Sequence, residues 1–477
     1  MFAVPLILRG KVLEEATQEF GGRRGAVRFS APDIHRHLGE LPLASPSLLE
    51  DLYGVSFAEI LSYLEELGGR LTLERNPHLQ AAYELSSLTS GLSPEVLRHV
   101  YRALPRLFNR EFAQALAERT VGVRYLEGWV PGELPGGARV SIRAFGARAV
   151  HIVAGNNPAV SALTVLRNAL TRGDAIIKSP SNDPLTAAAI GRTMIEMAPD
   201  HPLSRHLSVA YWKGGDEAVE AALFQPRHIE KIVAWGGLAS ITHAARYIQP
   251  GIDLITLDPK LSSTIIGREA FADELSIREA ADRLAHDVGA GNQEGCVNAR
   301  VVYVQTGTGP EGIALATRLG RLVYEAIRAL PAHLSGPARA VNRELAEEIH
   351  ALKLANSDYE VIGCGREGGV IVSQLSEPVD FSPLLANRIA NLVPIDDIET
   401  AIKAVTSYTQ TIGIYPEHLK SALRDRLALH GAQRLVSLGY ASNSGVMALA
   451  GPQDAIEPLR RLCRWIVDES CNWRAAP

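Results

Sequence analysis

The sequence predicts an α/β protein built on a doubly wound, mostly parallel sheet. Three features predict it. Between Ala149 and Leu257 five short apolar runs alternate with stretches of helical periodicity. Each run is followed closely by Gly, Asn or Pro, the residues that punctuate strand-to-helix turns. A second α/β pattern begins near residue 261 and continues to about 415.

Taken in order, residues 1–148 hold helices and turns. Phe57, Ile60, Leu61, Tyr63, Leu64 and Leu67 share a helical face, with Gly68-Gly69 as the expected C-cap. Ser93 with Glu95 opens a helix to about Phe108, and Pro131–Gly137 reads as a turn-rich stretch. The five strands are expected at Ala149–Val153, Ala175–Lys178, Leu207–Trp212, Lys231–Trp235 and Ile252–Leu257. Helices follow Pro158, Asp183-Pro184 (Asp as N-cap, Pro first in the helix), Asp216 and Gly236-Gly237. Sheets of this kind bind ligands beyond the strand C-termini, where the strand order reverses. The informative positions are therefore the turns Ala154–Pro158, Lys178–Pro184 and Trp235–Leu238.

In the second unit Ser276-Ile-Arg-Glu279 matches a capping box. Ile277, Ala280, Ala281, Leu284 and Val288 line one helical face, and Gly289 ends it. A short loop, Gly291-Asn-Gln-Glu-Gly-Cys296, leads into the strand-like run Arg300–Val304. The tail Pro458–Val467 reads as an amphipathic helix.

Composition excludes several classes. Of the 477 residues 46 % are hydrophobic and 21 % charged, which supplies large cores and argues against disorder. A net charge of −5 without a long basic run argues against nucleic acid as the main partner. The four cysteines, Cys296, Cys364, Cys463 and Cys471, show no CxxC pair and no disulfide framework, so free thiols in a reducing, cytoplasmic compartment are expected. The N-terminus lacks the basic region of a signal peptide, and no apolar run reaches the ~18 residues of a membrane span. No metal site is expected.

Cys296 is the best chemical candidate. It sits in a loop between helix and strand, next to Gly295, where a ligand can approach and backbone N–H groups can favour thiolate. Cys463 and Cys471 lie in the tail, where packing explains them. Cys364 lies in Gly363-Cys-Gly-Arg-Glu-Gly368, a formal GxGxxG. The strand-like Gly369–Ser373 follows it, not the helix that phosphate binding needs, so a glycine-rich hairpin is expected. The amide of Asn156 can donate to an oxyanion, although Asn156-Asn157-Pro158 is also ordinary turn chemistry. Lys178 can meet a phosphate or ribose, and Gly236-Gly237 lets a pyrophosphate approach a helix start. Each of these two is weak alone.

In order, the pieces resemble the aldehyde dehydrogenase superfamily. Phe145-Gly146 and Ala154-Gly-Asn156-Asn-Pro158 resemble its Pro-Trp-Asn-Phe-Pro turn, placing Asn156 on the catalytic asparagine. Ile176-Ile-Lys178-Ser-Pro-Ser181 resembles its Lys-Pro-Ser-Glu segment, and Ala234-Trp-Gly236-Gly237 its Phe-Thr-Gly-Ser turn. Asn292–Val304 resembles the segment around its nucleophilic cysteine. Three features depart from the family. Thr256 stands where the general-base glutamate should be, Ser181 replaces the second glutamate, and no Glu-x-Phe-Gly-Pro segment precedes Pro394. Thioester-using relatives share such losses. The long N-terminal region and the ending Gly451-Pro-Gln-Asp with Arg464-Trp-Ile-Val-Asp-Glu469 are similar to the acyl-CoA reductase family typified by the fatty acyl reductase of bacterial bioluminescence (lux) operons.

The resemblance implies a division into four parts. Residues 1–148 would be a helical region packing on a Rossmann-type nicotinamide domain at 149–260, followed by a catalytic cysteine domain at 261–435 and a tail at 436–477. It implies reduction of a long-chain acyl thioester, from CoA or an acyl-protein, to the aldehyde with NADPH. Cys296 and Asn156 would be catalytic, and Lys178, Ser181, Gly236 and Gly237 would bind cofactor. An acyl-protein synthetase is an implied partner, and a homo-oligomer the implied assembly. Two rivals stand beside this reading: an NAD(P)-dependent aldehyde-oxidising dehydrogenase, and an acyltransferase or inactive oligomeric scaffold. Glu294 is a further proton-transfer candidate whose plainer reading is a solvated loop carboxylate.

Overall fold

A computed structural model describes residues 2–21, 27–135, 137–257, 260–355, 358–442 and 457–470. The chain forms two compact units. One comprises Met1–Ser90, Val100–Asp258 and Ala455–Pro477, the other Gly91–His99 and Pro259–Asp454.

The first unit is organised by a seven-stranded sheet. Its five parallel strands are Arg148–Ile152, Asp174–Lys178, Leu207–Ala210, Lys231–Trp235 and Asp253–Leu257. Lys231–Trp235 pairs with Arg148–Ile152 on one side, and Asp174–Lys178 pairs with it on the other. The chain therefore winds outward in both directions from Arg148–Ile152, and the switch point lies between it and Lys231–Trp235. Both faces are covered, as their apolar runs require. Val150, Ile176, Ala210 and Ile232 pack with Val219, Leu223 and Phe224 on one face, and Ala149, Val233, Ile255 and Leu257 pack with Leu462 on the other.

The N-terminal residues contribute strands as well as helices. Leu6–Leu8 and Lys11–Leu13 extend the sheet antiparallel from Leu207–Ala210. Arg9, in the turn between them, reaches Asp174 with both terminal nitrogens, at 2.7 and 3.1 Å. His206 Nδ1 lies 2.9 Å from the same carboxylate, and its Nε2 2.9 Å from Asp51. Burial alone would raise the Asp174 pKa, but hydrogen bonds from His206 and Arg9 outweigh it and hold the carboxyl below its usual range. A depressed carboxyl contributes stability above its unfolded pKa and loses it as pH falls through the folded value. Asp174→Ala removes the buried carboxylate that Arg9 and His206 share and should destabilise the protein by about 3 kcal/mol at pH 7. In urea titrations that deficit should shrink as pH is lowered below the ordinary Asp range. A deficit independent of acid pH contradicts this account.

Several local expectations change. The helix Phe57–Arg70 runs through Gly68 and Gly69. Gly68 is there for close packing, since a Cβ would stand 3.0 Å from the Phe108 side chain and 3.1 Å from the Pro105 carbonyl. Val130–Glu133 is an edge strand paired with Arg139–Gly146, and the turn is confined to the residues between them. Pro131 is tolerated in it because an edge strand leaves one row of N–H positions unpaired. The helix after Lys178 begins at Thr186 rather than Pro184, with Asp183 accepting from the Thr186 backbone N–H. Asp273, not Ser276, caps the helix Glu274–Gly289, accepting from the Ser276 N–H at 2.8 Å. The tail is a short helix, Glu457–Leu462, followed by the strand Cys463–Ser470, laddered antiparallel on Arg139–Gly146. Cys471 and Gly451–Asp454 lie outside the described residues.

The second unit holds a seven-stranded sheet in which Leu261–Ile266 pairs in parallel with both the middle strand Ala299–Val304 and Thr409–Tyr415. Tyr359–Gly365 and Gly368–Ser373 form the expected antiparallel hairpin, so the GxGxxG match is a turn between strands. The helix Glu274–Gly289 buries Ile277, Ala280, Ala281, Leu284 and Val288 against Val302, Val304 and Leu392. That packing fixes the start of the loop carrying Cys296.

Candidate active site

In the first unit the turn after Arg148–Ile152 is braced from below. Asn182 donates from Nδ2 to the Gly155 carbonyl at 2.8 Å, and Thr89 donates to the Asn182 carbonyl at 2.7 Å. A Cβ at Gly155 would overlap the Asn182 side chain, which is why glycine stands there. Asn157 accepts from the Ala159 N–H at 2.9 Å, just ahead of the helix Ala159–Thr171, whose N-cap is Pro158. Asn156 is half-buried between these two fixed points.

Lys178 ends the neighbouring strand and is buried. Its ammonium meets the Ser179 carbonyl at 3.5 Å and lies 5.8 and 5.7 Å from the ring centroids of Tyr211 and Trp212. Burial pushes its pKa down to about 8, against the charge of Glu220. A buried cation with so little local compensation fits a polar ligand group. Ser181 is half-buried in the following turn. Asp183 is turned away into the core, held by Thr186 and Ser86, and burial pushes its carboxyl up to about 6.

Across the switch point, Lys231–Trp235 ends in Gly236-Gly237, and the helix Leu238–Ala245 starts without a side-chain cap. Nothing stands within 4 Å of a Cβ built on Gly237. The first turn of this helix is exposed, so its N–H groups are open to an anion. Trp235 lies beneath Arg167, whose guanidinium is 5.4 Å from the ring centroid. Asn156, Lys178, Ser181 and the two glycines thus all occupy turns at the C-terminal ends of strands in one sheet. Thr256, in the strand paired beside Ala234, carries a hydroxyl and no carboxylate.

In the second unit the loop to Cys296 is held in an unusual backbone course. Gly291, Asn292 and Gln293 have φ of 60°, 55° and 63°. The buried side chains offset that strain. Gln293 donates to the Ala299 and Ile389 carbonyls, each at 2.9 Å, and accepts from the Ile389 N–H at 2.8 Å. Asn292 accepts from the Gly336 N–H at 3.0 Å. Asn298 accepts from the Gly295 N–H at 3.1 Å and donates to the Ala290 carbonyl at 2.9 Å.

Cys296 is half-buried, whereas Cys364 and Cys463 are buried. Burial pushes each of those two thiols up to about 12, so both are inert near neutral pH. Burial raises the Cys296 thiol too, but four groups oppose it: Gln410, the charge of Arg300 and the backbone N–H groups of Cys296 and Val297. Gln410 donates to Sγ at 3.3 Å. Ser262 donates to the Cys296 carbonyl at 2.6 Å and accepts from the Thr411 N–H at 3.2 Å. Glu294 is exposed and packs its carboxylate over Gly91.

Gln410, Ser262 and Asn182 were not among the sequence candidates, and Arg300 was read only as part of a strand. The available signal for Gln410 was weak: Thr409-Gln410-Thr411 is a polar run inside a buried, otherwise apolar strand.

The model of the acyl-CoA reductase (LuxC) family matches residues 53–465. The chain belongs to that family. The acyl-CoA reductase relatives include the long-chain acyl-protein thioester reductase of Vibrio harveyi, 27 % identical over 98 % of this chain and 93 % of that one. The enzyme of the same name from Photorhabdus laumondii is 31 % identical over 74 % of this chain and 70 % of that one. Among solved structures, the aldehyde dehydrogenase KauB of Pseudomonas aeruginosa superposes with a TM-score of 0.75 at 13 % identity, covering 98 % and 97 % of the two chains. An NADP-dependent glyceraldehyde-3-phosphate dehydrogenase from Bacillus halodurans, complexed with NADP, gives 0.71 at 12 % identity over 98 % and 99 %. This member of the family therefore has the aldehyde dehydrogenase fold and is an acyl reductase, an oxidoreductase. Among the described residues no helix is long and apolar enough to cross a membrane.

Proposed function

We propose that the protein reduces a long-chain fatty acyl group, delivered as a CoA or protein thioester, to the aldehyde with NADPH through an acyl-Cys296 intermediate. One observation carries the reading. Among the described cysteines, Cys296 alone is reachable, and donors converge on its sulfur.

The strand-end turns of the first unit fit a nicotinamide dinucleotide. Gly236, Gly237 and the uncapped helix N-terminus suit a pyrophosphate, and Lys178 with Ser181 suits the adenosine ribose and its phosphate. When bound, the dinucleotide supplies a hydride. The residues of the chain do the rest. Cys296 attacks the thioester carbonyl and keeps the acyl group. The Asn156 amide and the Cys296 backbone N–H donate to the oxyanion that forms at attack and again at reduction. Collapse releases aldehyde and restores the thiol. Thr256 cannot take a proton from water near neutral pH, as a glutamate would, so the acyl group is protected from hydrolysis. That argues for reduction over aldehyde oxidation.

The parts assigned here are a nicotinamide domain at 149–260 and a cysteine domain at 261–435. A cytoplasmic homo-oligomer supplied by an acyl-protein synthetase fits the same reading.

Incubation with an acyl-CoA series and NADPH tests the proposal. Aldehyde should form in equal amount to the NADPH consumed, with yield rising toward long chains. Oxidation of aldehyde with NADP⁺ but no reduction of thioester would favour the dehydrogenase. Acyl exchange without NADPH consumption would favour the acyltransferase.

Cofactor choice follows from the turn after Lys178. A glutamate at position 181 would accept from ribose hydroxyls and repel a 2′-phosphate. Ser181 is neutral, and Asp183 is sealed in the core, so the turn offers one cation and one hydroxyl. Charge-assisted bonds to phosphate are roughly twice as strong as neutral ones. Ser181→Glu should lower the NADPH-to-NADH ratio of kcat/KM by about tenfold or more. A wild-type enzyme already faster with NADH would contradict this reading of the turn.

A further inference from the structure

We propose that Gln410 is a catalytic residue whose side-chain amide holds the Cys296 sulfur as a thiolate, first as nucleophile and later as leaving group. The proposal rests on the reading of Cys296 as the acylated residue. Gln410 is fully buried and donates from Nε2 to Sγ at 3.3 Å. Its Oε1 is also buried and has no hydrogen-bond partner among the described residues. A buried, half-satisfied amide lowers stability and calls for an explanation outside packing.

The backbone gives the second observation. Leu261 pairs with Thr409, and Ser263 pairs with Ile412. Gln410 and Thr411 therefore both stand opposite Ser262, a bulge of one extra residue. On the other side Ser262 pairs with Ala299 and Ser263 with Val301, which leaves Arg300 as the extra residue of that strand. Bulges break the in-out alternation and re-aim a side chain. Two bulges at one level of Leu261–Ile266 aim an amide and a guanidinium at the region of Cys296. Ser262, between them, fixes the Cys296 carbonyl and the Thr411 N–H.

The charged groups acting on the sulfur are Arg300, beside it in sequence, and Arg434, on the strand next to Gln410. Glu294 acts on Arg300, and Asp287 on Arg434. Burial raises the thiol, and Gln410, Arg300 and the two backbone N–H groups each oppose that rise, so these donors favour the ionised form of the sulfur that attacks.

The reaction balances on this basis. The thiolate attacks the thioester carbon, the bond from that carbon to the donor sulfur breaks, and the donor leaves as a thiol with the proton that Cys296 lost. After hydride addition to the acyl carbon, the oxyanion re-forms the carbonyl and breaks the bond to Sγ. The electron pair returns to Sγ, where the Gln410 N–H receives it. One donor thus serves both half-reactions.

The test is the pH dependence of iodoacetamide alkylation of Cys296 in the full chain, mapped by peptide mass spectrometry. Gln410→Leu should raise the midpoint by about one unit and slow alkylation at pH 7.5 about tenfold. Gln410→Glu keeps the shape and packing but presents a charge of the wrong sign, so its midpoint should rise further. It keeps the test open if the Leu variant does not fold. Single-turnover aldehyde release should slow in both variants, with the NADPH dissociation constant unchanged. Unmoved midpoints in folded variants would overturn the proposal and leave Gln410 a packing residue. Acyl-CoA labelling of the wild-type chain separates this from failure of the parent reading. A label on any cysteine but Cys296 refutes the parent reading, whatever the midpoints do.

Discussion

Cys296→Ser should abolish covalent labelling by acyl-CoA and lower aldehyde formation by on the order of 10⁴-fold or more, while NADPH still binds. Serine keeps the shape but not the chemistry. A hydroxyl is not ionised near neutral pH, and the donors around position 296 are too few to change that. They include one amide N–H at 3.3 Å, two backbone N–H groups and the charge of Arg300. They suit a large, polarisable sulfur whose ordinary pKa is within a few units of neutrality. The loop should survive the change, because Gln293 and Asn298 hold it through backbone partners that position 296 does not supply. The measurement is intact-protein mass after incubation with acyl-CoA, alongside fluorescence titration with NADPH. Retained acylation in the Ser variant, mapped to Cys364, Cys463 or Cys471, would refute the assignment.

The alternation of strands and helices was legible because each parallel strand is buried on both faces. Runs such as Ala149–Val153 and Lys231–Trp235 are then largely apolar, His151 and Lys231 apart, and end in turn residues. That Asn156, Gly236 and Cys296 stand in turns was legible for the same reason, since they occupy the breaks in that pattern. The tail was not. Leu459, Leu462 and Ile466 suit a helix face, and the partner that makes Cys463–Ser470 a strand is Arg139–Gly146, far back in the chain. The N-terminal strands failed likewise, because Leu6–Leu8 has meaning only against Leu207–Ala210. Gln410 is 114 residues from Cys296, and its approach depends on a bulge that no local spacing announces. Gly68-Gly69 misled because a helix-ending signal and a close-packing requirement use the same residue.

The remaining large effect belongs to Asn156. Asn156→Ala should lower the rate of aldehyde formation by about 10²–10³-fold, with a much smaller change in NADPH affinity. An amide N–H gives little to a neutral thioester carbonyl, which water or backbone donors serve nearly as well. It gives much more to the oxyanion that develops as sulfur or hydride adds to that carbon. Its value depends on being held still beforehand. The turn provides this: Asn182 clamps the Gly155 carbonyl on one side, and Asn157 accepts from the Ala159 N–H at the helix start on the other. Asn182→Ala should therefore reproduce part of the loss without touching the reacting atoms. Because a late-acting donor lowers kcat and kcat/KM together, steady-state kinetics distinguishes it from a residue that only binds substrate. A raised KM with unchanged kcat in Asn156→Ala would reduce Asn156 to a turn residue. An equal fall in both, with NADPH titrating as in the wild type, is the expected result.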